Sequence, residues 1–359
     1  MSDKHYTSEV STQCLVALLK EYGIKKIIAS PGTTNHVFVG SVQSDPWFEV
    51  YSSVDERSAA YLACGMASET GEQVVITCTG ATASRNYLSG LTEAFYRKLP
   101  IIAVTYNAGV QQKGHLIAQQ INRDRIQEDV ARCAVNIPMV RDESDHWFVN
   151  VEINKALLAT RHKGGGPVHI NISTGYSRDF SVEKLPKERV ISRIGFGDEM
   201  PALISKKTAV FIGSHKNFTE EETEAVDIFC HAYNAVVFCD HTSGYFGKYR
   251  IQSSLIGAQA LNDTFKGIDL LIHIGEVSGD YYSIVRPAKV WRVSEDGEIR
   301  DTFHVLTHIF EMPSANFFRY YAELVDSSDN DIFLQKSKTE YTQIETSIPE
   351  LPFSNVWIA

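Results

Sequence analysis

The sequence predicts an α/β protein built from two doubly wound parallel-sheet domains. Three observations carry this. Short β-rich runs alternate with helix-length segments over the first half, and the same alternation returns after residue 208. The runs, such as "QVVITCT", "LPIIAVTYN" and "GIDLLIHIG", are apolar without polar alternation, as strands covered on both faces are. Between the halves, periodicity gives way to charge and proline in "VEKLPKERVISRIGFGDEMPALISKK", which reads as a linker over 181–207. The expected domains are therefore 1–180 and 208–326, with 327–359 as a C-terminal linker and the start of something further.

In chain order, Thr7 or Ser8 is a candidate cap for a helix running to Tyr22, with Gly23 at its C-terminal side. "KKIIAS" is a first strand, followed by the turn "PGTTNH". "FEVYSSV" is a second strand, and a helix runs from near Asp55 to near Gly71. "QVVITCT" leads into one helix over "ATASRNYLSGLTEAFYRK", and "LPIIAVTYN" is a fourth strand. "CAVNIPMV" and "PVHINIS" add two strands around a helix at about 145–162, and "KGGGP" at 163–167 is a turn. The second domain reads as "TAVFIGS", a helix over about 219–233, "AVVFCD", a helical stretch near 254–264, "GIDLLIHIG", "AKVWRVS", "FHVLTHI" and a helix over about 314–325. Residues 327–349 are polar and suit a linker or a peripheral helix.

A chain of 359 residues, 43% hydrophobic and 22% charged, is long enough for two or three buried cores. Its formal net charge of −10 argues against nucleic acid or an anionic membrane as partner, since both require clustered basic surface. No stretch has the length of a transmembrane helix, and the N-terminus lacks the apolar core of a signal peptide, so a cytoplasmic location is expected. Cys14, Cys64, Cys78, Cys133, Cys230 and Cys239 form no C-x-x-C pair and lie mostly in apolar runs, which suits reduced buried thiols. No metal ligands are expected; the twelve histidines show no ligand spacing. "FIGSHKN" follows a strand but has one glycine where a dinucleotide fingerprint needs three, and there is no P-loop, H-E-x-x-H or G-x-S-x-G.

What remains is a set of loops at the strand ends, where open α/β sheets bind ligands. They are "SPGTTNH", "DERSA", "CTGATASRN" and the polar segment after the fourth strand. In this order, and joined as "VDERSAAYLACGMASETG…VVITCTGATASRNYLSGLTEAFYRKLPIIAVT", the run resembles the pyrimidine-binding domain of thiamine-diphosphate enzymes over about residues 8–130. Within them it is most similar to the SEPHCHC synthases of menaquinone biosynthesis, with acetolactate synthases more distant. Beyond residue 130 the resemblance rests on architecture and on pieces such as "GIDLLIHIGE", similar to the family's Rossmann-like central domain.

The resemblance implies thiamine diphosphate as cofactor, with Glu56 as the catalytic residue. A carboxyl held in a dry cleft would hydrogen-bond N1′ of the aminopyrimidine and favour the imino form that takes the C2 proton; the resulting ylid attacks a 2-oxo acid. The implied activity is that of a carboligase or decarboxylase, a transferase or lyase. Local pattern offers Glu56 another role. Ser53-Val54-Asp55-Glu56 fits a capping box, although Asp55 or Ser53 alone could cap. Further cofactor contacts implied are Pro31, Gly32, Thr79, Gly80, Ala81, Thr82 and Asn86. Thr33, Thr34, Asn35 and His36 are candidates for substrate; for His36 an acid–base role is the hypothesis and packing of its loop the favoured reading. Gln119, or else Gln120, matches a glutamine that reaches the active site, and a solvated polar loop is the alternative.

Two departures matter. Gly80-Ala81 replaces the family's serine-glycine pair, keeping its smallness and losing its hydroxyl. Thr34 stands where SEPHCHC synthases carry an arginine for substrate carboxylate, and a neutral hydroxyl cannot make that bidentate contact. The family also holds the diphosphate and Mg2+ with a G-D-G…N stretch in a third domain; none occurs here, and "SEDGEIRD" offers only D-G. "ELPFSNVWIA" turns apolar and reads as the start of that domain. The expectation is an incomplete enzyme, a truncated chain or a split-gene subunit, inactive alone. Its diphosphate-binding domain would come in cis or in trans, in a homodimer or larger assembly as in the family. The competing expectation is a non-catalytic binding or regulatory protein derived from the same fold. No residue points to a flavin or adenine nucleotide in the second domain.

Overall fold

The computed structural model describes residues 4–122, 126–254, 266–279, 286–325, 331–350 and 352–353. They form two compact units, Met1–Val190 and Ile191–Ala359. In the first, the elements are α1 (Val10–Glu21), β1 (Lys26–Ala29), α2 (His36–Ser44), β2 (Glu49–Ser52), α3 (Glu56–Thr70), β3 (Val74–Thr79), α4 (Ala83–Asn86), α5 (Leu88–Arg97), β4 (Ile101–Asn107), β5 (Cys133–Ile137), α6 (Glu143–Ala159) and β6 (Val168–Ser173). The strands make one sheet in the order β2-β1-β3-β4-β6-β5, parallel throughout.

Both faces of this sheet are covered, as the unbroken apolar runs require. Ile27, Val75, Ile102 and Val104 pack with α1, α2 and α6, while their neighbours Ile28, Val74, Ile76, Ile101 and Ala103 pack with α3 and α5. Side chains alternate across a pleat, so a strand buried on both sides has no polar position to spare. The buried face of α3 is made of small residues, Ala59, Ala60, Ala63, Cys64 and Ala67. Against it, α5 presents Gly90, where a Cβ would lie 2.5 Å from the Cβ of Ala60. These two helices therefore pack backbone to backbone.

The structure corrects three local expectations. Neither Thr7 nor Ser8 caps α1; Glu9 is the N-cap residue and makes no capping bond, its carboxylate instead accepting from Thr174, Gly175 and Ser177. The single helix read over 81–98 is two, α4 and α5, meeting at Tyr87. Pro138 follows directly on β5, and that strand stops at Ile137 instead of continuing through "PMV".

The second unit contains β7 (Ser192–Ile194), β8 (Thr208–Ile212), α7 (Glu220–Ala232), β9 (Val236–Cys239), β10 (Arg250–Gln252), β11 (Leu270–Ile274), β12 (Lys289–Val293), β13 (Leu306–Phe310), α8 (Ser314–Ala322) and α9 (Ile332–Ser347). Its strands are again all parallel, in the order β10-β9-β8-β11-β12-β13-β7. Thr219 and Glu222 form a reciprocal capping box at the start of α7. β7 lies inside the stretch read as linker, and the polar tail read over 327–349 contains α9. The helix expected near 254–264 lies outside the described residues, as does most of "ELPFSNVWIA". At the β8/β11 reversal an antiparallel bridge joins Ser214 to Glu276, and a Cβ on Gly213 would lie 2.3 Å from the Glu276 carbonyl oxygen. The adjoining cavity of about 470 Å³ is lined by Glu222, Glu276, Glu295 and Asp296 against Lys216 and His215, a poor setting for phosphate. None of the six cysteines is in a disulfide; five are buried and Cys133 is half-buried.

A buried ionic hub fixes α1 to the α2–β2 connection. The Asp45 carboxylate has no exposed surface and takes hydrogen bonds from Tyr6 Oη at 2.7 Å, the Trp47 backbone at 3.1 Å and Lys20, with Lys4 at 3.1 Å. Burial pushes its pKa up, but these partners outweigh burial and hold it well below the usual carboxylate range. A depressed pKa adds stability that is present above the unfolded value of about 3.9 and is lost as pH falls toward the folded value. Asp45→Asn is expected to lose about 3 kcal/mol at pH 7. Urea denaturation should show the gap to wild type shrinking below about pH 4.

Candidate functional site

In the first sheet the chain leaves β1 for β2 on one side and then crosses to β3 on the other. The reversal therefore falls between β1 and β3, where α/β sheets open a crevice at the strands' carboxyl ends. Two loops meet there. Gly32 lies against the Thr79 side chain so closely that a Cβ would sit 2.2 Å from the threonine methyl, and Thr34 Oγ1 accepts from the Gly80 backbone at 3.4 Å. Asn35 is fully buried and spends its amide on its own surroundings. Its Oδ1 accepts from Gly32 N at 2.8 Å, and its Nδ2 donates to Ser30 O at 3.2 Å and Thr77 Oγ1 at 3.3 Å.

These contacts sort the candidates of the first loop. Pro31 and Thr33 are exposed, whereas Thr34 and Asn35 are buried and shape the loop. His36 has both ring nitrogens beside backbone carbonyls, Nδ1 2.7 Å from Thr33 O and Nε2 2.8 Å from Ser177 O. It ties the loop to the segment that Glu9 holds, which is the packing role. In the second loop, Ala81 is buried, Thr82 is exposed at the start of α4, and Ser84 Oγ donates to Ala81 O at 2.7 Å. Gln119 is exposed on the segment after β4, with its backbone in the left-handed region at φ +61. It stands apart from this hydrogen-bonded set.

Glu56 opens α3, and the structure separates its two possible roles. The N-cap residue is Asp55, whose Oδ1 accepts from Ser58 N at 2.7 Å. The Ser53 hydroxyl donates to the Asp55 carbonyl at 3.1 Å, so no Ser53–Glu56 capping box forms. The Glu56 side chain is free of capping; its Oε2 accepts from Asn86 Nδ2 at 2.9 Å. Among the described residues its other oxygen takes no hydrogen bond. Asn86 ends α4, and the close α3–α5 packing through Ala60 and Gly90 brings that end beside Glu56. The result is a half-buried carboxylate with one anchored oxygen and one open acceptor, at the rim of the β1/β3 crevice.

Sequence reading missed three residues here. Ser30 Oγ donates to Ser53 O at 2.7 Å, locking the ends of β1 and β2 together. Thr77 anchors Asn35. Tyr87 is buried at the α4–α5 break beside Ser30 and Cys78, and burial followed by Cys78 raises its phenol well above the ordinary value. A tyrosine inside an apolar helical pattern carries no signal of such a place. A separate cavity of about 470 Å³ lies at the ends of β4, β5 and β6, lined by Asn107, Asn136, Asn171, Ser173 and Arg141; Glu56 is not part of its wall.

Residues 11–129 match the family described as thiamine pyrophosphate enzyme, N-terminal TPP binding domain. The chain is also 30% identical, over 345 residues, to the 2-succinyl-5-enolpyruvyl-6-hydroxy-3-cyclohexene-1-carboxylate synthase of Bacteroides thetaiotaomicron, and 29% identical, over 340 residues, to that of Phocaeicola vulgatus. Each alignment covers 90% of this chain and 61% of the relative, so the chain spans less than two thirds of their length. Among solved structures, the thiamine diphosphate-dependent 4-hydroxybenzoylformate decarboxylase of Rhodococcus jostii RHA1 aligns at TM-score 0.40 with 16% identity, over 89% of this chain and 63% of that one. No helix among the described residues is long and apolar enough to cross a membrane.

The division of labour between adjacent carboxylates can be measured. Asp55→Ala should cost about 1 kcal/mol of stability by removing the cap, and Glu56→Gln should change stability by less than about 0.5 kcal/mol. Thermal denaturation of the two variants beside wild type checks this.

Proposed function

We propose that the first unit binds the aminopyrimidine of thiamine diphosphate, and that Glu56 is the carboxyl that shares a proton with its N1′ nitrogen. The observation that carries this is the open oxygen of Glu56, released from helix capping by Asp55 and anchored on its other side by Asn86. A ring nitrogen placed there would meet a carboxyl already oriented, with the tightly packed loops 30–35 and 79–82 forming a floor of small residues. When bound, thiamine diphosphate supplies the nucleophilic carbon and the electron sink that a 2-oxo acid needs to lose carbon dioxide.

In this reading residues 1–180 are the pyrimidine-binding domain and 208–326 a central domain of an enzyme that decarboxylates or ligates 2-oxo acids. The diphosphate and its Mg2+ would be held by a further domain, in cis or in trans, since no G-D-G stretch followed by asparagine occurs among the 359 residues. A dimer or larger assembly would bring the two halves together. The relatives' named synthase reaction does not transfer directly. Thr34, at the place of the substrate-binding arginine, is buried with its hydroxyl directed to Gly80 N, so substrate carboxylate must be met by other groups. Exposed Thr33 is the nearest candidate on that loop.

The test is Glu56→Gln in the assembly that includes the diphosphate-binding domain. Turnover of a 2-oxo acid should fall by about 10²–10⁴-fold while the fold is retained. Unchanged turnover would assign Glu56 no part in the chemistry, whereas a wild-type assembly without turnover would favour the non-catalytic reading. The isolated chain should show no Mg2+-dependent release of carbon dioxide from 2-oxo acids.

A further inference from the structure

On the sheet face opposite α3, three side chains from distant parts of the first unit converge. Cys14 of α1, His146 of α6 and Glu188 each offer a ligand atom, and the three atoms lie within 4.8 Å of one another. Cys14 is fully buried, the Glu188 side chain is 2% exposed, and the imidazole is 41% exposed and forms the outer wall. Glu188 Oε1 lies 2.9 Å from His146 Nε2, and Oε2 accepts from Asn150 Nδ2 at 2.9 Å. Among the described residues, no lysine or arginine pairs with this carboxylate; His146 is its one potential cation. This buried carboxylate is held by His146, Asn150 and the Cys14 thiol, without a permanently charged partner among the described residues, and a divalent cation would supply that charge.

We propose that Cys14, His146 and Glu188 form a zinc site clamping α1 and α6 to the segment around residue 188. This goes beyond the thiamine diphosphate reading and does not depend on it. Thiolate, imidazole and carboxylate are the donors Zn2+ takes in proteins, and one thiolate plus one carboxylate cancels its charge inside a dry core. Bonds of about 2.0–2.3 Å in a tetrahedron put neighbouring ligand atoms about 3.3–3.8 Å apart, inside the envelope already present. The His146–Glu188 contact of 2.9 Å must widen to reach that spacing, and the half-exposed imidazole is the member placed to turn. Asn150 holds the second carboxylate oxygen and fixes the orientation of Glu188, while also donating to the Arg189 carbonyl at 3.0 Å. Water would take the fourth position, on the imidazole side. On binding, the Cys14 thiol loses its proton to solvent as the Zn–S bond forms, and neutral His146 coordinates through Nε2.

Titration of the chelator-stripped full chain with Co2+ tests the site. A thiolate-to-cobalt charge-transfer band should rise to one equivalent and be abolished by one equivalent of Zn2+. Cys14→Ser should eliminate the band. His146→Ala and Glu188→Gln, each checked for native circular dichroism, should weaken Zn2+ binding at least tenfold against a chromophoric chelator. Absence of the band in wild type would overturn the proposal, as would a band unchanged in Cys14→Ser, which would report another thiol such as half-buried Cys133. Unaltered Zn2+ affinity in both folded His146→Ala and Glu188→Gln would also refute it.

Discussion

Parallel pairing of β1 with β2 on one edge and β3 on the other is the constraint on which the first unit depends. A strand paired on both sides and covered on both faces is mostly apolar, as Ile27–Ala29 and Val74–Ile76 are, and its buried Thr77 is hydrogen-bonded to Asn35. The same pairing forces the connections after β1 and β3 to open side by side. Their closeness is then set by sterics: Gly32 admits the Thr79 methyl, and Asn35 replaces solvent for three neighbouring polar groups. The crevice therefore has a rigid floor before any ligand enters.

Glu56 depends on that frame at one remove. Two acidic residues stand at the head of α3, and either satisfies the helix dipole. The backbone geometry gives Asp55 the extended conformation of an N-cap and puts Glu56 inside the first turn. Its side chain then leaves the helix end and meets Asn86, whose position follows from the contact of Ala60 with Gly90. One small-residue contact in the core thus decides where a carboxylate stands at the surface. The second unit repeats the sheet, but there the Ser214–Glu276 bridge spans the reversal point and acidic side chains line the adjoining cavity.

Much of the fold was legible because buried parallel strands leave a strong one-dimensional trace. Short edge strands left none: β7 and β10 are three residues each, and their pairing comes from neighbours instead of from their own composition. The break at Tyr87 was equally hidden, since its flanks "ATASRN" and "LSGLTEAFYR" both suit a helix and only the packing of α5 separates them. In the site, the motif located Glu56, Asn86 and the two loops, while the status of Asn35 and His36 was open. A polar residue in a loop can face ligand or hold the loop, and only its neighbours' positions distinguish the two.

The sequence by itself determined the two sheet-bearing halves, the loops that meet at the first reversal, and the acidic pair at the head of α3. Those follow from local periodicity and from residue types that each loop requires. The tertiary structure decided which acid caps and which is open, which loop residues are buried, and that Cys14, His146 and Glu188 share one small volume. These are outcomes of long-range packing. Residues 14, 146 and 188 are brought together only when α1 and α6 cover the same face of the sheet, and no local pattern carries that information.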